Sequence, residues 1–293
     1  MSVRPFTARP FTALACPLDG APLQRQGGSL RCADGHCFDL AAQGYVNLLP
    51  VQNKRSLDPG DSKEMVAARR RFLEAGHYKP IADAVARAVL ADAEPGRTLT
   101  CLDAGCGEGY YLRQLAAQAD AAGKSPALLG LDISKWAVQA AAKAQRGTAT
   151  WVVGSNAKLP VLPATLDRVL CLFGFPVYPE FARVLKPGGT LIMIDAGPDH
   201  LRELREIIYP TLKTPAPPNN QAPPGFSLQH RESLSCRIEL DSQEQIADLL
   251  VMTPHFYRAS PAGREKAAQL SRLALTVDVR LQVWQRLQPT ENA

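Results

Sequence analysis

One run of residues constrains this chain more than any other: Leu102-Asp103-Ala104-Gly105-Cys106-Gly107-Glu108-Gly109-Tyr110. A strand over 99–104 runs straight into three glycines at alternate positions. Glycines let the backbone bend sharply and approach a ligand closely, at the carboxyl edge where doubly wound sheets bind nucleotide-type ligands. A dinucleotide loop requires Gly-x-Gly-x-x-Gly, and Tyr110 stands where the third glycine would be, which disfavours a pyrophosphate. A second acid, Asp132 in Leu129-Gly130-Leu131-Asp132, closes the next strand at the distance where a carboxylate meets ribose hydroxyls. The purely structural alternative is a tight turn, with Asp132 capping the helix after Ser134.

The surrounding pattern fits that placement. Strands are expected at 99–104, 127–132, 149–153, 167–173 and 190–195, with helices at about 110–121, 134–145, 178–185 and 199–208. This alternation implies an α/β fold with a mostly parallel, doubly wound sheet. Late strands at 235–240 and 272–284, flanking a helix at 242–250, would add an antiparallel edge in meander order. Upstream, Asp61-Ser62-Lys63-Glu64 reads as a capping box opening a helix through Phe72, and a second helix runs from Pro80 to about Leu90. The 24 prolines concentrate in connections, most densely over 214–225, which is expected to be a long surface loop. No run reaches the roughly 18 uncharged apolar residues of a membrane span. The net charge of +5 fits a solvated surface and a polyanion partner equally well.

Three of the seven cysteines, Cys16, Cys32 and Cys37, fall within a short turn-rich segment, and the odd, dispersed count argues against a disulfide framework. Arg4-Pro5-Phe6-Thr7-Ala8 repeats as Arg9-Pro10-Phe11-Thr12-Ala13, with no apolar stretch of ~7 residues to make an export signal. Residues 1–15 are therefore expected to be a disordered extension and the compartment to be the cytosol.

The Asp-x-Gly-x-Gly-x-Gly form, followed by an acid at the next strand end, resembles the first two motifs of class I S-adenosylmethionine-dependent methyltransferases. The resemblance gives Asp103, Gly105, Gly107, Glu108, Gly109 and Tyr110 to the methionine side of the cofactor, Asp132 to the ribose and Asn156 to the neighbourhood of the adenine. A closer resemblance rests on Gly44-Tyr45-Val46-Asn47-Leu48-Leu49-Pro50, Asp58-Pro59-Gly60-Asp61, Phe72-Leu73-Glu74-Ala75-Gly76-His77-Tyr78, Gly197-Pro198-Asp199-His200 and Met252-Thr253-Pro254. Together these resemble the zinc-ribbon 23S rRNA (guanine-N1)-methyltransferases, from about Cys16 to Trp284. The Asp58-Pro59-Gly60-Asp61 stretch is more similar to the subgroup acting at position 745 of hairpin 35 than to its sister acting at position 748. The resemblance implies cofactor contacts from Tyr78 and His200, whose bland alternatives are stapling of the following helix and a place in a first helical turn. It also implies four parts: the extension 1–15, a ribbon-like RNA-recognition module 16–50, linker and helices 51–95, and a methyltransferase domain 96–293.

A ribbon of that family carries Cys-x-x-Cys and then Cys-x-x-x-His around zinc. Here Cys16, Cys32 and His36 match, Asp19 replaces the second cysteine, and Cys37 follows as an extra thiol. Either Asp19 or Cys37 could complete a zinc site, with Cys37 preferred as the softer ligand. The implied partner is 23S rRNA, with Arg69-Arg70-Arg71, Lys54, Arg55 and Lys63 as a phosphate-binding patch whose alternative is a solvated helix face. Phe173 or Phe175 could stack on an extruded base, while no residue declares itself as the proton acceptor. No membrane is expected; a homodimer is admitted but not indicated. A small-molecule methyltransferase would keep the glycine loop and Asp132 but has no use for the cysteine module, and a noncatalytic ribbon adaptor has no use for the glycine loop.

Overall fold

The computed structural model describes residues 9–53, 56, 58–93, 96–212 and 221–288. In chain order the N-terminal elements are β1 (Arg9–Pro10), β2 (Gln24–Gln26), β3 (Ser29–Arg31), β4 (Cys37–Asp39), β5 (Tyr45–Asn47), α1 (Lys63–Glu74) and α2 (Lys79–Leu90). The alternating region follows as β6 (Thr100–Ala104), α3 (Tyr110–Ala121), β7 (Ala127–Asp132), α4 (Lys135–Ala144), β8 (Thr150–Val153), β9 (Leu166–Leu172), α5 (Tyr178–Val184), β10 (Leu185–Ala196) and α6 (Arg202–Ile208). The chain then forms β11 (Phe226–Leu240), α7 (Gln243–Met252), α8 (His255–Arg258), α9 (Pro261–Ala268) and β12 (Leu273–Arg286).

The main sheet has the order β11-β12-β10-β9-β6-β7-β8-β5, parallel from β5 through β10, with β12 antiparallel to both neighbours. Reversal of strand order on either side of β6 leaves a crevice at the carboxyl ends of β6 and β9, the place where such sheets bind ligands. The expected meander at the edge is corrected, because β12 inserts between β10 and β11. Its Leu275, Val277, Val279 and Leu281 are buried and suit an interior strand. The exposed polar stretch Gln229–Arg231 is tolerated on β11 at the edge. β11 also begins at Phe226 rather than 235, and α8 and α9 were not anticipated.

Two corrections concern the N-terminal side. Residues 9–15 are ordered: β1 pairs in parallel with Ala127 and Leu128 of β7, and Phe11, Leu14 and Ala15 are buried; residues 1–8 lie outside the described residues. Ser62, not Asp61, caps α1, its hydroxyl accepting the N–H of Met65 at 3.2 Å. Most of the surface loop expected over 214–225, and Lys54 and Arg55, lie outside the described residues.

One face of the sheet is covered by α1 to α4, α6 and α7. The other is covered by α5 and by the N-terminal module: Phe11, Leu14, Cys16, Leu23, Val46 and Leu48 join Leu102, Leu129, Leu131 and Val152 in one continuous core. The small sheet β2-β3-β4 thus rests on the large one, and β5 extends the large sheet beside β8. Among the described residues no helix is long and apolar enough to cross a membrane.

Burying Phe11, Leu14, Val46 and Leu48 contributes roughly 1.5–3 kcal/mol for each side chain, a total comparable with the whole stability of a domain. Removal of residues 1–50 should therefore abolish the cooperative thermal transition that the full chain shows by calorimetry. A truncated chain that melts as sharply and as late as the intact one would refute this core assignment.

Candidate active site and metal centre

The glycine loop is fixed by the end of the neighbouring strand. Leu131 O accepts the N–H groups of Gly105 at 2.8 Å and Cys106 at 3.0 Å, and Asp132 Oδ2 accepts that of Gly107 at 2.9 Å. Asp132 Oδ1 accepts the Ser134 N–H at 2.8 Å, while Ser134 itself caps α4 through its hydroxyl. Asp132 therefore holds both loop and helix start, and each oxygen keeps a further acceptor site. The three loop glycines all have positive φ, but for different reasons. A Cβ on Gly109 would lie 2.6 Å from the Trp151 ring, so this glycine serves packing. A Cβ on Gly105 would meet nothing within 4 Å, so this backbone faces open space.

Beneath the loop lie acceptors without donors. Asp103 is fully buried and neither of its carboxylate oxygens has a partner. Burial, with the nearby Asp132 charge adding to it, pushes Asp103 up to about 8. Asn156 donates from Nδ2 to Ala104 O at 3.2 Å, and its buried Oδ1 is unpartnered. Such orphaned groups cost on the order of 1–3 kcal/mol each. A cationic or donor-rich ligand seated on the loop would satisfy them.

Tyr78 and His200 meet above the strand ends at 3.2 Å. Burial lowers His200 to about 4, so the ring is neutral, and its Nδ1 accepts the Asp278 N–H at 3.3 Å. The ring proton therefore sits on Nε2 and is donated to Tyr78 Oη, which leaves the tyrosine hydroxyl proton free for a ligand. Phe173 completes the cluster, 5.9 Å from the Tyr78 ring and 5.7 Å from the His200 ring. Its N–H still bonds Ile194 O at 2.8 Å, but a φ of 53° turns the side chain over the strand end. Phe175, 91% exposed, projects from the same loop.

Other expected site residues stand elsewhere. Glu108 is buried against Arg113, whose guanidinium donates to both its carboxylate and its carbonyl; this clamp shapes the loop. The Tyr110 ring packs edge-on to Tyr111, and its hydroxyl, pushed up to about 12 by burial and then by Asp83, lies toward α2. Tyr111, given no role from sequence, lies partly buried near Tyr78 and Asp103. The arginines of the expected phosphate-binding patch are held in ion pairs. Arg69 pairs with Asp61 at 2.6 Å and donates to Met252 O, Arg70 pairs with Glu74, and Arg71 grips Asp248 with two hydrogen bonds. Arg69 and Arg71 bind α1 to its surroundings, and Arg69 Nη1 would lie 3.5 Å from a Cβ on Gly107. Lys63 lies over the Trp136 ring.

In the N-terminal module Cys16, Asp19, Cys32 and His36 bring one ligand atom each within 4.8 Å of one another. His36 Nδ1 lies 3.5 Å from Cys16 Sγ, 3.4 Å from Cys32 Sγ and 2.7 Å from Asp19 Oδ2. Apart from that shortest contact, these approach the edges of a zinc tetrahedron, roughly 3.3–3.8 Å for bonds of ~2.0–2.3 Å. The preference for Cys37 is corrected: it is exposed on β4, opposite Arg31, and stands outside the cluster. Asp19 is already fixed by the Ala21 N–H, which holds its carboxyl well below the usual range. Softness could not reveal this, because the strand alternation of β4 decides which way residue 37 points.

Comparison with known proteins agrees with this geometry. The zinc-ribbon family described as "RlmA, N-terminal" matches residues 14–57, and the family described as "Methyltransferase domain" matches residues 101–189. A Micromonospora griseorubida protein provisionally named 23S rRNA (guanine-N1)-methyltransferase is 35% identical, over 92% of this chain and 95% of its own length. A Bacillus subtilis protein under the same provisional name is 34% identical with the same coverage. The Streptomyces fradiae 23S rRNA (guanine(748)-N1)-methyltransferase is 39% identical over 67% of each chain. With a class I methyltransferase sheet, an open glycine loop and a zinc-ribbon module in one chain, this protein belongs to the 23S rRNA (guanine-N1)-methyltransferase family.

Proposed function

We propose that this chain methylates N1 of a guanine in a 23S rRNA hairpin loop, using S-adenosylmethionine. The observation that carries the reading is the set of unsatisfied buried acceptors, Asp103 and Asn156, beside an open glycine backbone. Asp103 would face the cationic methionine end, Asp132 the ribose and Asn156 the adenine, with the Tyr78 hydroxyl as a further donor. When bound, this donor supplies a methyl group on a cationic sulfur. The protein holds it rigidly and leaves an aromatic rim, Phe173 and Phe175, on which a splayed base can stack. With the α1 arginines engaged, RNA phosphates would meet other cations, such as exposed Arg25 and Arg31 of the ribbon.

The finer target is guanosine 745 of hairpin 35, on the strength of Asp58-Pro59-Gly60-Asp61, although the Streptomyces fradiae relative is named for position 748. Mass mapping of 23S rRNA from cells with and without the gene should show loss of one N1-methylguanosine at 745. Loss at 748 would move the target, and an unchanged rRNA would favour a small-molecule acceptor.

Asp103 ties binding to stability. Its folded value of about 8 lies above the usual ~3.9, so the native state keeps a proton that the unfolded chain releases. Stability must then fall as pH rises from about 4 to about 8. Asp103→Asn should raise Tm at pH 8 by roughly 2–8 °C, the shift given by about 1–2 kcal/mol, while weakening S-adenosylmethionine binding at least tenfold by calorimetry. An unchanged Tm would remove the strain, and an unchanged affinity would remove the contact.

Zinc is proposed to be held by Cys16, Asp19, Cys32 and His36, where it would brace two turns that rest on the main sheet. Metal analysis of purified variants should find zinc lost in Asp19→Ala and retained in Cys37→Ser. The reverse order would restore Cys37 as the ligand.

A further inference from the structure

Guanine N1 carries a proton, and its methylation leaves that proton to be taken up. Carboxylates lie at or near the carboxyl ends of the central strands and the β10–α6 turn; of these, Asp132 is taken up by the Gly107 and Ser134 N–H groups, which leaves four to consider. Asp103 is buried beneath the glycine loop, Asp199 pairs with Arg202 at 3.0 Å, and Asp278 accepts the Asp199 N–H at 3.0 Å. Asp195 is the fourth. It follows Ile194, whose carbonyl bonds the Phe173 N–H at 2.8 Å, so its backbone adjoins that of Phe173 at the strand end, and strand alternation turns its side chain to the face of β10 that carries Met193. It is partly buried, and its carboxylate has no hydrogen bond or ion pair with any described residue. Its surroundings are Arg280, opposite it on β12, with Cys171 of β9 and Tyr178 of α5 near enough to feel its charge. Burial pushes the Cys171 thiol to about 12 and raises Tyr178 also, so both are neutral and neither competes as a base.

Resting on the guanine-N1 reading above, we propose that Asp195 is the catalytic residue that accepts the N1 proton. The N1 electron pair forms the new N–CH3 bond. The S–CH3 bond breaks with its pair left on sulfur, and the proton passes to the Asp195 carboxylate. Burial holds this carboxyl above its ordinary range against the pull of Arg280, which strengthens it as a base. Phe173 and Phe175 can hold the purine plane beside it.

The test uses the full chain, an unmodified hairpin transcript and S-adenosylmethionine. In Asp195→Asn, kcat should fall by about 10²–10⁴, the usual worth of a positioned base. Hairpin and donor affinities measured by calorimetry should stay within about threefold. Asp195→Glu should recover at least about tenfold of the loss, and Asp195→Ser should match Asn with a smaller side chain if the amide disturbs folding. The residual Asn rate should climb steadily with pH as N1 ionises unaided, whereas the wild-type rate levels off once Asp195 is ionised. A rate within threefold of wild type, or a loss matched by an equal loss of hairpin affinity, would overturn the assignment while leaving the activity intact. A wild-type chain that makes no N1-methylguanosine overturns the functional reading itself.

Discussion

The carboxyl edge of the sheet is organised around the end of β7. Leu131 O and the Asp132 carboxylate together accept four backbone N–H groups, three from the glycine loop and one from the start of α4. Hydrogen bonds to a charged acceptor contribute about 1.5–3 kcal/mol each, enough to offset part of the cost of burying Asp132, whose pKa is nevertheless raised by that burial. Gly109 and Gly130 then leave room for the Trp151 ring, which would lie within 2.6 Å of a Cβ at either position. The loop is therefore rigid because its anchor is rigid. A ligand seated on it meets fixed N–H groups and fixed acceptors instead of having to order them, and that avoids an entropic cost of binding.

The N-terminal module belongs to the same construction. Lys158 donates to Pro17 O, and Ala15 N–H bonds Pro160 O, so the turn after β8 carries the ribbon. That turn is itself pinned by α5: Glu180 accepts the Leu159 N–H while Arg183 donates to Leu159 O and Val161 O. The Cys16, Asp19, Cys32 and His36 cluster, the β8 turn and α5 form a continuous chain of contacts reaching the loop that bears Phe173 and Phe175.

The sequence made the alternating region readable almost to the residue: α3 and β7 match their expected bounds, and the other central strands differ by about one residue at each end, save where β10 starts early. There the apolar period, the glycines and the caps all agreed. The outer strand resisted because Gln229–Arg231 has no buried face, and edge pairing leaves no hydrophobic signature. The extension resisted because Phe11 and Leu14 look isolated in sequence and become core residues through contacts more than a hundred residues away. Arg69-Arg70-Arg71 shows the same limit for charge: a basic run announces cations, but Asp61, Glu74 and Asp248 decide whether they are free. Asp195 carried no motif; its interest comes from what fails to touch it.

The two halves of the crevice are built to different standards. On the glycine-loop side the backbone donors are fixed and the unsatisfied atoms are buried acceptors, a pattern that selects one small ligand of opposite character. On the other side the surfaces are aromatic and open, Phe173 being 40% and Phe175 91% exposed, with partly buried Asp195 on the adjoining strand end. Stacking surfaces accept any base, since every base has a π-face, so the rim by itself distinguishes little among nucleotides. Selection of one guanine must come from what presents it. The ribbon is fixed to the same edge, because Lys158 donates to Pro17 O, so under the proposed function it would be the element that reads the shape of the RNA delivering the base.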